Sequence, residues 1–271
     1  MKTASELVEE GLVGAIGMSN YHVSEVERAV ELCRSHGWTP PTVYQGLYNP
    51  LNRRVEQDLL PALKRLGIKF VAYNVLAAGL LTGKHQRNNS GGGASGGGDS
   101  SSSSSSSVLP GRFKDNPNYL PRFYTDANFR ALDCLEQALA SSSWLPSTPA
   151  SSSSGGEQAS VPLIATTYAW LLHHSRLGPD DAILMGASSP QQLEVNLAAL
   201  RQAFGDSSEG EATTAAAAPP AFDEALLAAF DEAWRIVREE VMTQCPPPPF
   251  FCFCFVCVCL WVCFSPLDRE V

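Results

Sequence analysis

The sequence predicts an α/β fold of about four parallel βα units. Short apolar runs alternate with amphipathic helical segments, and the connections between the runs are long enough to be crossovers. Polar residues follow the carboxyl end of each apolar run, which is the edge where parallel sheets and barrels build their sites. Four such units are half of an eight-stranded barrel, and half a barrel leaves its sheet open.

The predicted strands are the four short apolar runs at residues 13–18, 42–47, 69–73 and 182–186. Helices lie between them, where apolar residues recur every three or four positions. Ser24 and Glu27 have the spacing of a capping box, so the helix after the first strand is predicted to begin there. Pro61 predicts either a kink or a fresh first turn in the helix that follows the second strand.

The segment after the third strand combines Asn74, Gly79, Gly83 and Lys84. A strand that ends in glycines and a lysine can offer backbone N–H groups and one cation to an anionic ligand. The alternative is an ordinary turn after a strand. The spacing is not that of a Walker A loop, since three residues separate the two glycines and His85 follows the lysine.

Low-complexity sequence divides the chain. We predict one domain over residues 1–245, with disordered insertions near 86–108, 141–160 and 205–220, because Ser-, Gly- and Ala-rich segments bury too little apolar surface to offset the entropy of ordering them. Residues 246–271 form a Pro-, Cys- and Phe-rich tail that does not belong to this domain.

Composition limits the classes of partner and the cellular compartments that suit this chain. The net charge of −9 and the absence of a basic stripe argue against a nucleic-acid partner. The first residues carry no secretory signal, and Cys33 and Cys134 lie on apolar helical stripes as buried thiols, so a cytoplasmic location is expected.

The apolar run of the tail, from Phe250 to Phe264, has 15 residues and is shorter than the roughly 18–20 residues that span a bilayer. We therefore expect no membrane partner. The alternatives are a tail anchor or a Cys-rich metal site, and the favoured interpretation is unselected sequence from a mis-assigned coding boundary.

Several motifs, in order along the chain, resemble the aldo-keto reductases, and most closely the aflatoxin-aldehyde reductase group. The matching segments are 17–21, 42–50, 72–84, 111–113 and 184–193, together with Tyr119 and Arg122. The resemblance implies the C-terminal half of a (β/α)8 TIM barrel and an enzyme that uses NADPH to reduce aldehydes or ketones. Departures from the pattern are Val75, where the family usually has proline, and Ala78, where the closest group usually has glycine.

The same resemblance implies a set of binding residues. Ser19, Asn20 and Gln45 would hydrogen-bond the nicotinamide carboxamide, and the Tyr48 ring would pack the nicotinamide. The residues implied along the pyrophosphate path are Asn74, Leu76, Gly79, Leu81, Gly83, Lys84 and Arg112. Those implied at the adenosine end with its 2′-phosphate are Gly186, Ser188, Gln192 and Asn196, and those on the substrate side are Tyr119 and Arg122. Two alternatives remain, because Ser189 and Gln192 also suit a helix cap and Arg112 also suits a solvated loop.

The family's catalytic Asp, Tyr, Lys and His lie on strands that precede this segment, so no catalytic residue is assigned and the chain alone is expected to be inactive. Tyr73, Lys84 and His85 do not occupy those motif positions. The first hypothesis is a fragment of an NADPH-dependent reductase whose substrate is a small aldehyde or ketone. The alternative is a non-catalytic module that binds NADPH or assembles subunits, as a homo-oligomer or with a tail anchor.

Overall fold

A parallel four-stranded sheet is the centre of the structure, a computed structural model that describes residues 1–85, 120–144, 161–204 and 222–244. Its strands follow one another in sequence order, β1-β2-β3-β4, and each neighbouring pair is parallel. Their bounds are Gly17–Ser19 for β1, Val43–Leu47 for β2, Lys69–Tyr73 for β3 and Ala182–Ile183 for β4.

Helices connect and cover the strands. They are α1 (Lys2–Glu9), α2 (Val23–His36), α3 (Leu59–Leu66), α4 (Leu120–Phe123), α5 (Asp126–Ser141), α6 (Val161–Ala169), α7 (Pro190–Phe204) and α8 (Glu224–Gln244). The described residues also include two 3-10 segments, Arg54–Glu56 and Ala77–Thr82, and a π-helical turn, Trp170–His174. Among the described residues, no helix is both long enough and apolar enough to cross a bilayer.

Strand register gives the sheet two unlike faces. On the packed face, Tyr44 lies beside Phe70 and Gly46 beside Ala72, and all four residues are buried. The opposite face carries every other residue, because successive strand side chains point to opposite sides. A five-residue strand therefore supplies both a packed row and a row available for other contacts.

Aromatic rings fill the packed side. Phe70 is 1% exposed and lies 6.2 Å from the rings of both Tyr44 and Tyr48. A Cβ atom built on Gly46 would lie 2.5 Å from the Phe70 ring, which is closer than real side chains approach. Glycine at this position therefore makes room for Phe70. Trp170 continues the core by stacking on Phe230 of α8 at 5.5 Å.

The described elements confirm the predicted alternation and correct its details. The third strand has the predicted bounds, whereas β1 and β4 are shorter than predicted. Helix α2 begins at Val23, and its capping box is made by His22 and Glu25 rather than by Ser24 and Glu27. The reason is that the His22 N–H donates to the Glu25 carboxylate at 2.7 Å, two residues earlier than predicted.

The predicted insertions fall mostly outside the described residues, as does the tail at 246–271. The exception is the start of the second insertion. Ser141 belongs to α5, and Trp144 is 9% exposed and packs edge-on against Phe222 at 5.0 Å. Ordered contacts therefore extend into the first four residues of the insertion predicted near 141–160, because the Trp144 ring packs against a partner distant in sequence.

Candidate cofactor site at the carboxyl edge of the sheet

Backbone strain is concentrated at one edge of the sheet. Among the described residues, the non-glycine residues with left-handed backbone are Asn20 (φ 62°), Asn74 (φ 53°), Ala77 (φ 49°) and Ala78 (φ 59°). All four follow the carboxyl ends of β1 or β3. Non-glycine residues with this backbone conformation cost free energy, and they are often found at ligand sites. The strain therefore marks the edge at which the sequence predicts binding.

Ser19 and Gln45 lie together on the opposite face. They are direct register partners, Ser19 at the end of β1 and Gln45 in the middle of β2, and both are half-buried. A hydroxyl and a side-chain amide on neighbouring strands can both hydrogen-bond one polar group that lies between them. The structure thus brings together two of the three residues expected to bind the nicotinamide carboxamide.

The third residue, Asn20, begins a turn held by a side chain from β2. The Tyr44 hydroxyl donates to the Tyr21 carbonyl at 2.8 Å and accepts from the Tyr21 N–H at 3.1 Å. Burial raises the pKa of Tyr44 to about 12, so the hydroxyl keeps its proton as a donor. Asn20 itself is exposed, at the mouth of this edge.

Tyr48 has a different position from the one expected for a ring against nicotinamide. It is 0% exposed on the packed side, 5.9 Å from the Trp170 ring. Its hydroxyl donates to Glu56 at 2.6 Å and accepts from the Arg176 N–H at 3.1 Å. Burial raises the pKa of this hydroxyl, and the Glu56 carboxylate raises it further. The physical reason is alternation, since Tyr48 has the same parity as Tyr44 and Gly46.

Tyr73 is the aromatic residue at the expected place. It ends β3, pairs in register with Leu47 and lies half-buried on the same face as Gln45. Strand parity offered a signal for it, because Tyr73 and Val71 are two residues apart and Val71 pairs with Gln45. Tyr73 was not among the predicted binding residues, because its face depends on the sheet register.

The loop after β3 is folded on itself. The N–H groups of Ala77, Gly79, Leu81 and Gly83 donate to carbonyls of the same loop at 2.8 to 3.2 Å. Leu81 is 0% exposed, whereas Leu76, Gly79 and Gly83 are half-buried. These four N–H groups therefore have partners within the loop, as in the ordinary turn that was the alternative, and the pyrophosphate role of the loop stays a prediction. Local turns satisfy them first.

The exposed side chain of Lys84 ends this loop. Next to it, the His85 ring packs edge-on against Tyr124 at 5.9 Å and lies over Gly79. Desolvation and the neighbouring Lys84 both lower the pKa of His85, so the imidazole is held neutral beside the lysine. The positive charge at this end of the loop is therefore that of Lys84.

The residues expected at the adenosine end surround the start of α7. The Ser188 hydroxyl donates to the Gln192 side-chain oxygen at 2.8 Å, and the Gln192 N–H donates to Ser189 at 3.2 Å. This geometry confirms the helix-cap alternative. Buried Asn196 donates to the carbonyl of exposed Gly186 at 3.4 Å, which holds the preceding loop against the helix.

The substrate-side prediction is described in part. Arg122 is exposed in α4, with its guanidinium 5.7 Å from the centre of the Phe123 ring. Tyr119 and Arg112 lie outside the described residues.

Comparison with known proteins gives a consistent result. The model of the aldo/keto reductase family matches residues 1–211. Aflatoxin B1 aldehyde reductase member 2 of Rattus norvegicus is 34% identical over 245 residues, which cover 89% of this chain and 55% of that protein. Aldo-keto reductase family 7 member A3 of Homo sapiens is 33% identical, with 89% of this chain and 61% of that protein covered. The chain thus spans little more than half the length of these relatives.

Proposed function

This chain belongs to the aldo/keto reductase family, and on that premise we propose that it is the NADPH-binding part of an enzyme that reduces aldehydes or ketones. Family members are oxidoreductases that adopt a TIM barrel fold, act on aldehydes or ketones and generally use NAD(P)H. We propose that the four described βα units are the C-terminal half of such a barrel. A cytoplasmic location stays a prediction.

One observation supports the proposal most strongly. Ser19 and Gln45 are adjacent in register, and Tyr73 lies on the same face of the sheet, two positions beyond Val71, which is the partner of Gln45. Two amide-binding groups and one aromatic ring at a single edge suit a planar ring that carries a carboxamide. We propose that Asn20 completes this end of the site, and that Lys84 and the loop before it face the pyrophosphate.

The adenosine end is proposed at the start of α7. Ser188, Ser189 and Gln192 present hydroxyl and amide groups at a helix N-terminus, where the helix dipole favours a phosphate. Binding of a 2′-phosphate there would favour NADPH over NADH. Gly186 and Asn196 shape the preceding loop, and Arg112, Tyr119 and Arg122 stay assigned to the pyrophosphate and substrate sides on family resemblance alone.

The chemistry needs an acid near the developing alkoxide. When NADPH is bound it supplies the hydride, and the residues of this chain bind and orient it. The acid is assigned to none of them, so we propose that the chain by itself binds NADPH without turning over a carbonyl substrate.

The test is cofactor binding to the purified full chain, measured by the change in NADPH fluorescence and repeated with NADH. We expect saturable binding that is tighter for NADPH, and no oxidation of NADPH when nitrobenzaldehyde is added. Absence of binding would refute the cofactor assignment. Turnover above a heat-killed control would refute the assignment of catalysis to residues outside this chain.

A second candidate is assembly with another copy of the chain. Leu193, Leu197 and Phe204 on α7 are 44%, 37% and 43% exposed, and Leu184 beside the edge strand β4 is 43% exposed. Apolar surface next to an edge strand of the described sheet favours association. Light scattering after size-exclusion chromatography distinguishes a monomer from a dimer. The double variant Leu193→Glu, Leu197→Glu should convert a dimer to a monomer.

A further inference from the structure

The left-handed turn at Asn74 is held by a side chain from the neighbouring strand's loop. Asn49 follows β2 and is 0% exposed. Its side-chain Nδ2 donates to the carbonyl oxygen of Asn74 at 2.9 Å. The same carbonyl accepts from the Ala77 N–H at 2.8 Å, so both of its lone pairs are used. The contact connects the carboxyl ends of β2 and β3 at the candidate site.

The orientation of the Asn49 amide follows from its other bond. The Leu51 N–H donates to Asn49 Oδ1 at 2.9 Å, so this side-chain atom must be the acceptor. The nitrogen is then the atom that faces Asn74. The backbone of Asn49 is also fixed, since Asn49 and Asn52 exchange N–H to carbonyl bonds at 3.2 and 3.0 Å.

We infer that Asn49 is a positioning residue, which holds Asn74 and the following loop in the conformation that binds the cofactor pyrophosphate. This inference rests on the proposed NADPH function. Asn74 begins a segment in which Ala77, Ala78 and Gly79 all have positive φ. Such a backbone persists only where its surroundings hold it, and the Asn49 amide is a buried side chain that contacts the peptide carbonyl at its start.

Asn49→Asp removes the bond that Nδ2 donates to the Asn74 carbonyl and keeps the bond that Oδ1 accepts from the Leu51 N–H. The variant keeps an oxygen for the Leu51 N–H but places a second oxygen against the Asn74 carbonyl. We expect NADPH to bind at least about tenfold more weakly at pH 8, because the donor is lost and a buried carboxylate is set against the carbonyl oxygen. Burial raises the pKa of a carboxyl group, so lowering the pH restores an O–H donor. The ratio of variant to unaltered Kd should then fall towards one near pH 5.

Ser5→Ala is the matched control. Ser5 is also 0% exposed and also bonded through its side chain, accepting from the Thr39 N–H at 2.7 Å, but it lies before β1. We expect it to lower the free energy of unfolding without changing NADPH affinity. Hydrogen exchange of the amides of residues 77–83, measured without cofactor, should accelerate in Asn49→Asp and stay unchanged in Ser5→Ala.

Each outcome has one meaning. Equal NADPH affinity for Asn49→Asp and the unaltered chain, or a Kd ratio that does not change with pH, would overturn the role in cofactor binding. Unchanged exchange at residues 77–83 would overturn the positioning itself. If the unaltered chain does not bind NADPH, the proposed function fails, and the exchange measurement still decides whether Asn49 holds the loop.

Discussion

Tyr44, Phe70 and Ala72 on the packed face of the sheet are at most 3% exposed, whereas Ser19, Gln45 and Tyr73 on the opposite face are half-buried. The two rows belong to the same short strands and differ only in parity. The packed row is filled by core residues, and the opposite row includes buried Val71 but has half-buried polar groups towards its carboxyl edge. This contrast teaches that stability and binding are carried by alternate residues, so substitutions on the two faces should affect different measurements.

The largest expected effect is on the packed face. Phe70→Ala removes a ring that is 1% exposed and contacts two tyrosines, and we expect it to lower the free energy of unfolding by about 3–5 kcal/mol. Tyr73→Ala, on the opposite face of the same strand, should cost less than half as much. Urea denaturation measures both, and equal losses would show that the faces do not differ in this way.

Tyr48→Phe sharpens the comparison at the residue that was expected against the cofactor. Removing the hydroxyl leaves the Glu56 carboxylate and the Arg176 N–H without this partner, so we expect a loss of about 1–2 kcal/mol in unfolding free energy. The Kd for NADPH should not change, because the hydroxyl lies on the packed side. A weakened affinity at unchanged stability would instead support the cofactor contact.

Gln45→Ala should have the reverse pattern. Its amide is half-buried beside Ser19, and its loss should raise the Kd for NADPH about tenfold while the unfolding free energy changes by less than about 0.5 kcal/mol. Exposed Gln57 offers a matched control, and Gln57→Ala should alter neither quantity. Binding is followed by fluorescence titration. Similar affinities for both variants would remove Gln45 from the site.

The smallest expected effect concerns the strained loop. Ala78 has φ 59°, and a left-handed alanine costs about 1–2 kcal/mol, part of which glycine recovers at the expense of greater freedom when unfolded. Ala78→Gly should therefore raise the unfolding free energy by about 0.5 kcal/mol. Ala198→Gly, within helix α7, should lower it by about 1 kcal/mol. Thermal unfolding that orders the two variants the other way would contradict the loop conformation.

Local patterns predicted much of the fold. The β-branched and aromatic run at 69–73 is a strand with those bounds. Strands and helices alternate along the chain, as predicted. Pro61 lies within the first turn of α3, with a separate 3-10 segment before it, as a fresh start of the helix requires. Motif order along the chain was sufficient to indicate the family.

Other contacts depend on competition between neighbouring groups or on tertiary packing, which local patterns do not reveal. Glu25 rather than Glu27 completes the cap of α2, because the choice depends on where the chain leaves β1. The N–H groups of the loop after β3 bond locally, a result that glycine spacing does not reveal. Trp144 belongs to the core although it lies in Ser-rich sequence, because Phe222 is brought to it by the fold.

The sequence by itself determined the α/β class, the order of the strands and the polar residues at their carboxyl ends, since these depend on the period of apolar residues and on short motifs. Only the tertiary structure decided which face each of these residues occupies and what it contacts. Tyr48 and Tyr73 are both tyrosines near strand ends. Tyr48 is buried because it packs against Trp170 and Phe70, whereas Tyr73 is half-buried. The bond from Asn49 to Asn74 crosses 25 positions of chain, and no local pattern predicts a contact that the sheet register creates.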